Sequence, residues 1–270
     1  MKFTMQKTLL AAAIATLTMT GTANASMTNS ASGDSSLILS VLDFSAGVSA
    51  TFDLGFSDST FNQTMNNSWN IGSGDYASAW TSFAAAVGGN FANTQWSVLS
   101  LDSTGVATGD TSIFTTVAGT WTNVSNTVLS TMQANFDKYI NANNALGTHV
   151  SATDGGSFVT SSSGLSYAGD GGAYGSTGKI ASFGGDTNTA IGTDMNVFNI
   201  VRSSSAGLTN ATATKLDVAG FNPYFSMSNT GALVYTASSA VSPVPEADNY
   251  AMLLAGLGLM GFIARRRMSV

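Results

Sequence analysis

The sequence predicts a mainly β fold, a β-sandwich or β-sheet-rich domain with one long and one short helix. Three observations lead there. Hydrophobic residues make up 44% of the chain and charged residues only 9%, so apolar surface is plentiful and the high-charge signature of disorder is missing. Thr, Val, Phe and Tyr gather in short runs bounded by Gly, Asn and Asp, the pattern of strands joined by turns. Only two segments show the three- and four-residue apolar spacing of a helix. The residues between the two terminal segments, 26–242, suffice for one β-rich domain with a real core, or for two small ones.

In chain order, the first hairpin is predicted from Ser36 to Phe44 and Val48 to Gly55, turning at Ser45-Ala46-Gly47. A short helix covers Ala77 to Val87 with Trp80, Phe83, Ala84 and Val87 inward. Strands follow at Gln95 to Leu101 and Thr111 to Val117. The long helix runs from about Asn123 to Asn143, because Val124, Val128, Leu129, Met132, Phe136, Tyr139 and Ile140 share one face, and Gly147 is its stop. Further strands are expected at Asn196 to Ser203 and Thr214 to Val218. A second hairpin pairs Phe225 to Met227 with Ala232 to Thr236 across Ser228-Asn229-Thr230-Gly231, an Asn/Gly turn. Both helices should pack on or beside the sheet.

From Ser151 to Gly192 the chain is rich in Gly, Ser and Asp and resists assignment. Asp154-Gly155-Gly156 and Asp170-Gly171-Gly172 lie 16 residues apart, Phe158 and Tyr174 follow each at the same offset, and Asp186 falls a further 16 along. Calcium could be held by such aspartates together with turn carbonyls. The EF-hand spacing and the Gly-Gly-x-Gly-x-Asp array are both lacking, so Asp-Gly reads first as turn chemistry and no metal site is assigned.

Charge excludes one class of partner. Between Ser26 and Ser242 only Lys138, Lys179, Arg202 and Lys215 face thirteen aspartates, a net charge near −9. Such a surface repels DNA, RNA and anionic lipid, so no nucleic-acid partner is expected. Catalytic signatures are also missing. His149 is the only histidine, no Gly-x-Ser-x-Gly elbow accompanies it, and it reads as a polar or partly exposed structural residue. Without cysteine and with one histidine, zinc and haem lack ligands. A glycosidase would need two aspartates as its acids, and nothing singles out a pair. We therefore expect no catalytic residues, no cofactor and no enzyme. Trp69, Trp80, Trp96 and Trp121, with Tyr167 and Tyr174, could offer flat faces to sugar rings, but ordinary β-cores contain the same residues, and the core reading is favoured.

The two ends read as targeting segments. Lys2 and Lys7 precede an apolar run from Leu9 to Met19, and Ala23-Asn24-Ala25 meets the small-residue requirement of signal peptidase. Residues 1–25 are thus a signal peptide that is helical in its core, for the Sec machinery, with cleavage after Ala25 and a mature start at Ser26. With no cysteine to lipidate, the C-terminal segment is the expected membrane attachment. There, Pro245 and Glu246 precede an apolar transmembrane helix from Tyr250 to Ala264, followed by Arg265, Arg266 and Arg267. Fifteen helical residues span roughly 22 Å against a hydrocarbon core of about 30 Å, a marginal anchor. The arginines keep the C-terminus cytoplasmic and the domain outside. Glu246 is the only glutamate of the chain, so the box is foreign to its host.

This string of Val-Pro-Glu, spacer, Leu/Gly/Met apolar run and Arg cluster resembles the PEP-CTERM sorting signal of Gram-negative bacteria. The resemblance covers residues 243–270 and implies recognition by an exosortase, a membrane-embedded cysteine transpeptidase that cleaves near the box. By position, Val244, Pro245 and Glu246 would be the recognition box and Arg265 to Arg267 the cytoplasmic stop. Ala247 stands where many such boxes have a second proline. The implied life history is export, transient inner-membrane anchoring and release to the cell surface or beyond. The implied role is structural or adhesive in an exopolysaccharide or biofilm layer, with exopolysaccharide as a candidate partner; the alternative is a secreted polysaccharide-binding or polysaccharide-modifying module.

Overall fold

The structure is a computed structural model and describes residues 26–119, 124–149, 155–170 and 189–238. The expected signal peptide, Pro-Glu box and apolar tail, with Trp121, Asp154, Tyr174 and Asp186, lie outside the described residues. Among the described residues no helix is long and apolar enough to cross a membrane.

The first hairpin sets the frame. β1 (Ser36–Asp43) and β2 (Val48–Ser57) pair antiparallel across a turn in which Gly47 takes φ 63°, a conformation that costs a side-chain-bearing residue steric strain. All eight residues of β1 are buried. Side chains alternate between faces along a strand, so β1 must be covered on both sides. Leu37, Leu39 and Val41 enter one apolar core, while Ile38 and Leu42 enter another.

Around this pair lie β3 (Asn67–Asn70), β4 (Thr94–Ser103), β5 (Thr111–Val117), β6 (Gly156–Thr160), β7 (Thr189–Ala190), β8 (Met195–Val201), β9 (Thr212–Lys215), β10 (Tyr224–Met227) and β11 (Ala232–Thr236). They form one antiparallel sheet in the order β3-β11-β10-β8-β5-β4-β1-β2-β6, with β7 beside β4 and β9 beside β8. Trp69 of β3 donates its indole N–H to the Leu54 carbonyl of β2 at 2.9 Å. In a flat sheet those two strands would stand about 34 Å apart, seven spacings of about 4.8 Å. The sheet therefore curls until its ends nearly meet. This corrects the β-sandwich alternative: both cores are built by the two faces of one curled sheet, and the sheet-rich reading is the one realised.

The inner core is aromatic. Phe61 packs against Phe114, Phe225 and Tyr235 with ring centroids 5.5, 6.2 and 5.0 Å away, which ties the middle of the sheet to its curled end. Helix α1 (Ala77–Ala86) lies on this side and contributes Trp80 and Phe83.

Helix α2 (Asn126–Asn144) covers the outer face. Val124, Leu129, Met132, Phe136, Tyr139 and Ile140 enter the outer core with Val128 packed at its margin, the apolar face expected from their spacing. The helix begins three residues later than predicted, because the Ser125 hydroxyl caps it by accepting the Val128 amide. Its contact with the sheet is partly polar. The Tyr139 hydroxyl sits between the hydroxyls of Ser40 and Thr51, and Ser157 of β6 donates to Asn143 Oδ1 at 2.6 Å. At the helix start, buried Arg202 donates from Nε to the Val106 carbonyl at 2.7 Å and from Nη1 to Ser130 Oγ at 2.8 Å and the Asn126 carbonyl at 3.3 Å. The strand expected to reach Ser203 ends at Val201, and the strand expected at Thr214–Val218 begins two residues earlier, as β9.

Candidate functional site

Two glycines after α1 build the first wall of a surface groove among the described residues. Gly88 and Gly89 take φ of 64° and 71°, which turns the chain back on the helix and lays Phe91 on Trp80, the rings 5.4 Å apart and 4° from parallel. Phe83 backs the pair. The second wall is Ile191-Gly192, held by the Ile191 amide on the Thr94 carbonyl and the Gly192 amide on the Met227 carbonyl. The third is the β10–β11 turn, seated on the Trp80 ring through Gly231, where a Cβ would meet that ring at 3.0 Å. Together they enclose an open groove of about 550 Å³.

The chemistry of this groove is uncharged. Its apolar floor is Phe91 with Ala92 and Ile191, and its polar rim is Asn90, Ser228 and Asn229. The Asn90 Oδ1 accepts the Ala92 amide at 3.1 Å, which fixes the side chain and leaves Nδ2 free to donate. Ser228 Oγ is already engaged with Thr230 and Ala232.

The aromatic residues weighed as sugar platforms are elsewhere employed. Trp69, Trp80, Trp96 and Tyr167 are buried, Trp96 to 1% exposure, and the Trp69 and Trp96 indoles donate to backbone carbonyls. None of these four presents a flat face to solvent. The half-buried Phe91 was not singled out in the sequence, and only the Gly88-Gly89 pair before it hints at a special loop.

A second cluster gathers carboxylates at the ends of β1, β2 and β4. Asp102 Oδ1 accepts the Ser35 amide at 2.5 Å and Asp34 Oδ1 accepts the Ser59 amide at 3.0 Å. The Asp58 amide donates to the Ser35 carbonyl at 3.1 Å, which brings its carboxyl near the other two. Burial, then the Asp102 charge, push the Asp58 carboxyl up to about 6, while burial raises Asp102 as well. Burial works upward on Asp34 too, but hydrogen bonds from Ser59 and Ser57 outweigh it and hold that carboxyl below its ordinary value. Among the described residues no group of three His, Asp or Glu side chains is arranged to hold a metal ion. Asp170 lies before the undescribed segment, Gly156 and Phe158 belong to β6, and the proposed 16-residue repeat falls largely outside the described residues.

His149 overturns an expectation. It is 1% exposed rather than polar and partly exposed, and neither ring nitrogen has a hydrogen-bond partner. Burial alone pushes its imidazole down to about 4. No serine or aspartate bonds to it, so the Ser-His-Asp arrangement is not assembled there.

No curated protein and no solved structure matches the chain. The description of the C-terminal segment rests on a different comparison. Residues 243–267 match the PEP-CTERM protein-sorting motif, a motif that implies secretion, transient membrane anchoring and exosortase-dependent sorting to the cell surface.

Proposed function

We propose that this is a non-enzymatic component of the surface or extracellular matrix of a Gram-negative bacterium, structural or adhesive within an exopolysaccharide or biofilm layer. The observation that carries the reading is the sorting motif attached to an acidic domain. Sec exports the precursor, signal peptidase cleaves after Ala25, and the exosortase acts at Val244-Pro245-Glu246 while Arg265 to Arg267 hold the tail on the cytoplasmic side. A net charge near −9 between Ser26 and Ser242 keeps the released domain soluble and discourages nucleic acid and anionic lipid. The uncharged groove supports the second reading, a secreted polysaccharide-binding module.

The test separates a sorting signal from a plain anchor. A plain anchor needs hydrophobicity and the arginines but is indifferent to Pro245 and Glu246. The double change Pro245→Ala with Glu246→Ala is expected to trap a full-length precursor in the inner membrane, and Arg265 to Arg267 changed to Ser to misplace the tail. Fractionated cells blotted for the domain show both. Surface delivery of the Pro-Glu variant at wild-type size and yield would end the exosortase reading. Loss of the protein should also weaken the exopolysaccharide layer; an unchanged layer contradicts the matrix role.

A further inference from the structure

We propose that the groove between the α1–β4 loop, Ile191-Gly192 and the β10–β11 turn is a binding site for a neutral polysaccharide, a proposal that rests on the surface-layer reading above and names its ligand. The argument begins with Phe91. Its ring lies nearly parallel to that of Trp80, with centroids 5.4 Å apart, and the half-buried side chain lines the groove. A backed aromatic ring is a rigid platform for the C–H face of a pyranose, because its position is set before the ligand arrives.

The rim supplies the complementary chemistry. Asn90 is pinned by its own turn bond to Ala92 and keeps two Nδ2 hydrogens to donate. Asn229 is exposed on the opposite lip, and its amide both donates and accepts, as sugar hydroxyls do. None of the lining residues carries a charge. A uronate or sulfated chain would find no cation here and would be repelled by the acidic domain, whereas a neutral glycan loses nothing to that charge. The opening is too small for the roughly 800 Å² per partner of a stable protein interface, which leaves a slender chain as the fitting occupant.

The probe is the extracellular polysaccharide of the producing cells, separated by anion exchange into neutral and acidic fractions and run against the exported protein in affinity electrophoresis. Wild type should be retarded by the neutral fraction and not by the acidic one. Phe91→Ala should lower affinity at least tenfold, about 1.4 kcal/mol. Because that change also strips Trp80 of its cover, a second variant avoids the core: Asn90→Asp keeps the Oδ1 turn bond but removes the donor, and combined with Asn229→Ala it should lower affinity by a similar factor with an unchanged melting temperature. Failure of the neutral fraction to bind, or equal binding by the Asn90→Asp/Asn229→Ala variant, overturns the assignment. Surface delivery is scored separately: protein that binds the glycan but never reaches the surface overturns the function and leaves the groove, and surface protein without glycan binding does the reverse.

Discussion

His149 should be a neutral residue at every pH above about 5, and that has a measurable consequence for stability. The imidazole is buried with both nitrogens unpartnered, so its cation is disfavoured and its pKa falls from 6.5 to about 4. Between those values the unfolded chain binds a proton that the folded chain refuses. Stability from this source is fully present above pH 6.5 and drains as pH falls toward 4, by about 3 kcal/mol at 1.36 kcal/mol per pH unit. Asp58 runs the other way. Its carboxyl, raised from 3.8 to about 6, binds its proton more tightly when folded, so that contribution is complete below pH 3.8 and lost as pH rises through 6. The two slopes oppose each other from pH 4 to 6. Asp58→Asn, whose amide can still donate to Asp102, removes one of them. In that background urea titrations should show a change in stability from pH 7 to pH 4 that is less favourable by about 3 kcal/mol than in the same chain with His149→Gln added, the other carboxylates cancelling in the comparison. As the only histidine of the chain, His149 also gives a single imidazole signal in a proton NMR titration. A midpoint near 4 is expected; a midpoint near 6.5, with no difference between the two backgrounds, would refute the reasoning.

Three further outcomes follow from the packing. Arg202→Met removes the donors that satisfy the Val106 and Asn126 carbonyls and Ser130, and should destabilise by about 2 to 4 kcal/mol in thermal unfolding, whereas a loss under 0.5 kcal/mol would mean that water replaces it. Tyr139→Phe withdraws the hydroxyl held between Ser40 and Thr51 and should cost about 1 to 2 kcal/mol, with circular dichroism unchanged. Thiol reductants should leave the melting temperature where it is, because the chain contains no cysteine; a chelator-sensitive melting point would instead return attention to Asp154, Asp170 and Asp186 as cation ligands.

How much of this was legible depended on whether the deciding interactions were local. The face of α2 could be read almost residue by residue because a 3.6-residue period is written into the string and a single packed surface enforces it. The two hairpins were legible from their turns. β3 was not, because Asn67-Ser68-Trp69-Asn70 has little strand character of its own and is held by pairing with β11, some 165 residues later. β6 hid in a Gly- and Ser-rich stretch for the same reason, being recruited by the edge of β2. The choice between a sandwich and a curled sheet hung on contacts such as Trp69 to Leu54, which no period in the sequence encodes.

The groove illustrates the limit more sharply, since Asn90, Ile191 and Asn229 come from three loops far apart in the chain and meet only because the sheet curls. Large aromatic residues were the natural place to look for a sugar platform, yet burying a tryptophan is worth more than exposing it, and the core claimed Trp69, Trp80 and Trp96. The half-buried ring that lines the groove is Phe91, packed against an inward-turned Trp80. His149 misled for a related reason: polarity argues for exposure residue by residue, but the position is fixed by where α2 ends, and the unmet hydrogen bonds show up as a lowered pKa instead of a solvated side chain. The sorting segment differs in kind. The sorting motif is one contiguous stretch, so it can be recognised directly from residues 243–267 without any tertiary structure. A folded site must be assembled before it can be read, which is why the address of this protein was plain in its sequence while the surface it would use on arrival had to come from the fold.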